Sequence, residues 1–196
     1  VEVGHRADGR VIVDARGLIP VRNEYDESGR LVGHIDGFGN AISYVHDTAN
    51  NREYITDRLG RVTITDYDDY GNVTRTVDPS GAVTLNTYDA NGNLLATVNP
   101  LGRETRYTYD NKDNRLSAID PLGNTTRCTY NAMRRMTSLT DARGNTVTNV
   151  FDAQGNLLEL RDPYGAVTRF AYNEQGQPTA MNDAAGHVTR FTYDLR

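Results

Sequence analysis

A planar ring followed by Asp or Asn returns every 21 residues along most of this 196-residue chain. Steps of 21 from Tyr25 land on Tyr25, His46, Tyr67, Tyr88, Tyr109, Tyr130, Phe151, Tyr172 and Tyr193, and the next residue is Asp or Asn each time. Asp or Asn also stands eleven residues after the ring, at Asp36, Asp57, Asp78, Asn99, Asp120, Asp141, Asp162 and Asp183. Gly stands fourteen after it, at Gly39, Gly60, Gly81, Gly102, Gly123, Gly144, Gly165 and Gly186. Four columns in one register make the chain an array of copies of a single supersecondary unit. Register slips only at the start, where "DARG" at Asp14–Gly17 lies 22 residues before Asp36. Residues 1–24 therefore read as a degenerate repeat, and 25–196 as eight in-register repeats in one continuous domain. With no initiator Met and a stop just past a repeat boundary, the chain reads as a piece of a longer polypeptide.

Each unit holds two turn signals. "DPLG" (Asp120–Gly123) has the Asp, Pro and Gly positions of a type I β-turn, and "DANG" (Asp89–Gly92) repeats the Asp-first, Gly-fourth pattern. The segments between turns, about six or seven residues of Thr, Val, Leu and Tyr, have strand length and strand composition. β-Branched residues from Val21 to Thr189 stand four before the ring, and Tyr44, Tyr107, Phe170 and Phe191 two before it. All share the ring's face, because strand side chains alternate. The alternate positions carry Arg106, Arg127, Arg169 and Arg190. One face is thus aromatic and β-branched, the other polar or cationic.

The unit is a β-hairpin, and the fold class is all-β: tandem 21-residue hairpins in a continuous antiparallel sheet. Ordering one unit costs about 30 kcal/mol of conformational entropy. A lone hairpin cannot offset that, whereas stacking on neighbours can. The rings should stand roughly 9 to 10 Å apart, two strand spacings, with Val73, Leu94, Met136 and Leu157 filling between them. About sixteen strands would give a strip roughly 75 Å long, and sheet twist should coil it.

Composition removes several function classes. A net charge of −5 and a pI near 5.3 lack the basic excess of a nucleic-acid binder. Only 37% of residues are hydrophobic, with no Trp, which suits a thin structure better than a thick core. No apolar run approaches a membrane span, the start has no signal-peptide core, and the single Cys128 leaves the redox compartment open.

No catalytic, cofactor-binding or metal site stands out. The Asp-Pro pairs at Asp78, Asp120 and Asp162 occupy the ordinary turn column at the ordinary period. "DYDDYGN" (Asp66–Asn72) begins like a calcium loop, but Tyr70 and Val77 hold its fifth and twelfth places. His5, His34, His46 and His187 lack metal-ligand spacing. His46 reads as a substituted ring, and Cys128 as a small buried apolar residue. The Arg column reads as a solvated face with cross-strand ion pairs or as a polar lumen.

The columns Tyr-Asp-x-x-Gly-Asn-Leu-Leu and Asp-Pro-x-Gly, clearest in "YDANGNLLATVNPLGRETRYTYD" and "IDPLGNTTRCTY", resemble the YD repeat of Rhs proteins. The resemblance extends to Tc toxin B and C components, WapA-like wall proteins and teneurins. It covers residues 25–196 strongly and 1–24 weakly. It implies a strip spiralling into a hollow shell around a C-terminal toxin domain, of which this chain would be an open arc of wall. It also implies a secreted or cell-surface setting, often with type VI secretion. Partners would be further YD repeats, the toxin domain, and spike or chaperone proteins; apart from the resemblance, two unpaired sheet edges invite edge-to-edge self-association of the segment. Self-cleavage in the family uses Asp-Pro-x-Gly motifs with a longer insert, which the plain spacing here lacks. The function this implies is non-enzymatic encapsulation; the alternative is an extracellular adhesion or carbohydrate-binding surface.

Overall fold

The computed structural model describes residues 21–194, so Asp14–Gly17, His5 and most of the degenerate repeat lie outside the described residues. The described part contains seventeen β-strands and no helix. Two units emerge, one running to Asn86 with Asn99–Leu101, the other comprising Thr87–Val98 and everything from Gly102.

The first unit holds β1 (Arg22–Tyr25), β2 (Leu31–Ile35), β3 (Ala41–Asp47), β4 (Arg52–Thr56), β5 (Val62–Tyr67), β6 (Val73–Val77) and most of β7 (Val83–Tyr88). Each strand pairs antiparallel with the next. The second holds β8 (Leu94–Val98), β9 (Glu104–Tyr109), β10 (Arg115–Ile119), β11 (Thr125–Tyr130), β12 (Met136–Thr140) and β13 (Thr146–Phe151). It continues through β14 (Leu157–Arg161), β15 (Val167–Tyr172), β16 (Pro178–Asn182) and β17 (Val188–Arg190), again a meander of antiparallel neighbours. The all-β fold of tandem hairpins is the one the period predicts.

Each unit is one sheet thick. Among the described residues Cys128, 5% exposed, is the buried hydrophobic side chain, as expected for that position, and no large side chain is fully enclosed. Alternation follows the predicted faces. In β9, Thr105, Tyr107 and Tyr109 are half-buried while Arg106 and Thr108 are exposed; β11 and β15 repeat the pattern. Apolar burial is thus concentrated on the ring face and supplied by neighbouring hairpins, as in linear repeat arrays.

The strands that return from the ring are five residues long, shorter than the sequence suggests, for a reason visible in the register. Tyr109 pairs with Arg115 and Thr108 with Ser117, leaving Leu116 as an extra residue. The same one-residue bulge recurs at Val32, Thr74, Thr137, Leu158 and Thr179. Bulges sharpen local twist and break the ladder at one point per hairpin. The β3–β4 pair has none: Asp47 faces Arg52 and His46 faces Glu53 in unbroken register.

Candidate functional site

The repeat columns converge on two structures, an Asp-centred turn and a stitch between successive hairpins. In the turn after Tyr109, the Asp113 amide donates to the Asp110 carbonyl at 3.2 Å, and the Asp110 amide donates to the Asn114 carbonyl at 3.0 Å. Asp110 Oδ1 accepts from the amides of Lys112 at 2.8 Å and Asn114 at 3.0 Å, while Oδ2 accepts from Asn114 Nδ2 at 2.9 Å. Short polar side chains bind nearby backbone amides in this way to close turns. The turn after Ile119 repeats the arrangement, with Asp120 accepting from Leu122 and from Asn124.

These carboxylates are held below their ordinary range. At Asp110, Asp120 and Asp68 the leading cause is the Asn side chain four residues on, followed by backbone amides working against desolvation. At Asp78 it is the Ser80 side chain. An acid–base pair of carboxyls sharing one proton requires a raised value at one member. Asp78 and Asp120 move the opposite way, as turn residues should. Asp68 of the calcium-like stretch is likewise occupied by Tyr70 and Asn72, while Asp66 binds Arg52 and Arg75. Among the described residues no group of three or more His, Cys, Asp or Glu is placed to hold a metal ion.

The fifth turn residue is the Asn of the Tyr-Asp-x-x-Gly-Asn-Leu-Leu column, whose role in bonding the turn Asp the sequence alone does not show. Its signal is the Gly-Asn dipeptide at Gly39-Asn40, Gly71-Asn72, Gly92-Asn93, Gly123-Asn124, Gly144-Asn145 and Gly155-Asn156. The preceding position needs a left-handed backbone, and Gly102, with φ of 72°, takes it without strain. Among the described residues three that are not glycine adopt the same region: Asn51, Asp113 and Arg134. Each binds the turn of an adjacent repeat. Asn51 Nδ2 donates to Asp69, Asp113 Oδ1 accepts from Asn91 and Asn93, and Arg134 Nε donates to Asn114 Oδ1.

The stitch explains the ring. The Tyr109 hydroxyl donates to the Leu94 carbonyl at 3.0 Å, fifteen residues back in the preceding hairpin. Tyr130 does the same to Arg115, Tyr172 to Leu157 and Tyr193 to Pro178. Arg115, Leu157 and Pro178 each stand beside the bulge, where the ladder is interrupted. At Met136 the following ring is Phe151, which has no hydroxyl, and Asn149 Nδ2 donates instead at 3.0 Å. The Val73 carbonyl accepts from Asn86 Nδ2 at 2.9 Å, and the Leu31 carbonyl from His46 Nε2 at 2.8 Å. Backbone carbonyls left outside the ladder need partners, and the chain supplies them from Tyr, Asn and His side chains.

The irregular rung confirms the logic. Without a bulge between β3 and β4, the Tyr67 hydroxyl donates to Glu53 Oε2 at 3.2 Å. Glu53 also meets His46 Nδ1 at 2.9 Å. Burial, then the Glu53 carboxylate, push the Tyr67 phenol above its ordinary value. A wide, polar depression of about 500 Å³ opens here, lined by Arg30, His46, Asn51, Glu53, Tyr67 and Asp68 among others. Most of its polar groups already bind one another.

Of the other ring and turn positions, Tyr25 sits on β1 at 51% exposure, and Tyr88 ends β7 half-buried. Gly39, Gly60, Gly81, Gly123, Gly144, Gly165 and Gly186 all have positive φ. On the opposite face, Glu159 binds Arg169 directly across the strand pair, and Asp66 lies between Arg52 and Arg75 on adjoining strands.

Comparison with known proteins agrees with this geometry. The chain superposes on the crystal structure of TcdB2-TccC3-TEV with a TM-score of 0.69 at 18% identity, over 89% of this chain and 11% of that one. A Photorhabdus luminescens Tc holotoxin pore matches over 88% of this chain and 15% of that one, at 14% identity and a TM-score of 0.37. The chain therefore spans only a small part of the length of the structures it matches, and the first likeness speaks to fold. No curated protein matches it significantly. The RHS Repeat family profile matches residues 88–125, 111–146, 151–188 and 172–196, more than half of the sequence. With the period, the hairpins and the profile in agreement, the chain belongs to the RHS repeat family.

Proposed function

We propose that the chain is a non-enzymatic stretch of wall in an Rhs-type toxin shell, enclosing a C-terminal toxin domain of the same polypeptide. The ring and glycine columns act as its structural positions. The observation that carries this reading is the stitch. Side chains that could serve chemistry are engaged structurally: Tyr109, Tyr130, Tyr172, Tyr193 and His46 hold one hairpin to the next, and the turn carboxylates close their own turns. The mechanism is confinement: a sheet continued by further repeats keeps the toxin from its target and from proteases until release. Secretion, including a type VI route with spike or chaperone partners, belongs to the same reading, and the fold likeness to a Tc toxin structure supports it.

The test uses the full-length protein that carries this segment. Limited proteolysis should leave its C-terminal domain intact while the wall is folded, and expose it when the wall is unfolded in urea. Digestion of that domain at equal rates in both conditions refutes encapsulation. A glycan array on the same protein addresses the adhesive alternative, and sugar binding lost on Tyr107→Ala would favour it.

A further inference from the structure

Asn91-Gly92 is the one Asn-Gly pair in the 196 residues. It forms the last two places of the turn over 89–92, whose third position in other Tyr-Asp turns holds Ser28, Tyr70, Lys112, Met133, Gln154 or Gln175. Both residues are exposed. Gly92 takes a left-handed backbone, with φ of 82°, and its amide donates to the Asp89 carbonyl at 3.1 Å. The Asn91 side chain is part of a clasp to the next repeat. Its Nδ2 donates to Asp113 Oδ1 at 3.0 Å, and Asn93 Nδ2 donates to the same oxygen at 2.8 Å. Asp113 stands in the turn one repeat on, itself in a left-handed backbone with φ of 61°. These residues all belong to the second unit.

We propose that Asn91 is a site of spontaneous deamidation, and that its product converts the clasp between the 89–92 and 110–113 turns from attraction to repulsion. The reaction needs only the chain and water. The Gly92 backbone nitrogen, losing its proton, attacks the carbonyl carbon of the Asn91 side chain. A C–N bond forms, the bond to the side-chain nitrogen breaks, and ammonia leaves with that proton. Water then opens the cyclic imide on one side or the other, giving Asp or isoAsp. Gly favours the closure because no Cβ obstructs the approach of its nitrogen. Two hydrogen bonds must open first, Gly92 to Asp89 and Asn91 to Asp113. Both lie at an exposed tip, where local opening costs least. The consequence is electrostatic and geometric. A donor amide becomes a carboxylate facing the Asp113 carboxylate, so a hydrogen bond gives way to a like-charge contact. IsoAsp also lengthens the main chain by one carbon, inside a turn whose closure depends on its four-residue span.

The test ages the folded chain in mildly alkaline buffer and maps the product by peptide mass spectrometry, with an isoaspartyl carboxyl methyltransferase as the label for isoAsp. Asn91 should be the first asparagine converted, and Asn91→Gln, which would have to close a larger ring, should slow conversion there about tenfold or more. Asn91→Asp stands in for the product. It should lower the urea midpoint further than Asn91→Ser, which loses the same bond without adding charge, and should weaken hydrogen-exchange protection around Asp113 and Asn114. Adding Asp113→Asn restores a donor and an acceptor across the clasp and should recover most of the lost midpoint. A folded chain in which Asn91 stays intact, while a urea-unfolded control converts, overturns the proposal, and so does a different asparagine converting first. An Asn91→Asp midpoint equal to that of Asn91→Ser, or no recovery in the double variant, overturns the role of the clasp.

Discussion

Removing the Asn149 amide isolates the stitch better than removing any Tyr. Asn149→Ala deletes the donor to the Met136 carbonyl, and Phe151, the ring of that rung, cannot replace it. Met136 lies beside the Thr137 bulge of the β11–β12 pair, and the β12–β13 pairing starts only at Ser138. A lost hydrogen bond costs about 1 kcal/mol, and about 1 to 3 kcal/mol when the acceptor is left dry; Asn149 is half-buried, so the lower half of that range applies. For a chain of this length that corresponds to a Tm lower by roughly 2 to 8 °C. Adding Phe151→Tyr should restore most of the loss, because four other rungs use Tyr at that place for the same bond. Urea unfolding of wild type, single and double variants gives the three free energies, and hydrogen exchange shows whether protection falls first around β12 and β13. A double variant no more stable than Asn149→Ala alone would refute the coupling of ring and bulge.

Gly102→Val should destabilise by about 1 to 3 kcal/mol through backbone conformation alone, since nothing lies within 4 Å of a Cβ placed there; an unchanged urea midpoint would remove the turn assignment. Asp113→Ala keeps the left-handed backbone and loses the bonds from Asn91 and Asn93, so it should be less stable than Asp113→Gly, which relieves the backbone while losing the same bonds. Equal melting temperatures for the two would count against strain at that position. The turn carboxylates from Asp26 to Asp183 with depressed values contribute stability above about pH 4 that disappears as acid protonates them. The urea midpoint should therefore stay level from neutral pH to about 5 and fall below about 4; a midpoint maintained at pH 3 would contradict the hydrogen-bonded turns.

Turns, strand faces and the array were readable because each depends on residues close in sequence. Asp120-Pro121-Leu122-Gly123 declares its turn without help from the rest of the chain. The bulge was not readable, because an extra residue such as Leu116 is defined only against its partner strand. For the same reason the Tyr column declared an aromatic face but not the use of its hydroxyl, whose acceptor lies fifteen residues back. Asn149 stands in the column that elsewhere carries Tyr107 and Phe170, and only the hydrogen bonding shows it compensating for Phe151.

The stitch has a direction. In every rung that uses it the later hairpin donates and the earlier one accepts, from His46 to Leu31 through Tyr193 to Pro178. A polypeptide leaving the ribosome N-terminus first would thus finish each rung with the hairpin that emerges next, never waiting for distant segments. Assembly could keep pace with translation, leaving one open carbonyl at the growing front as the place where the following hairpin attaches.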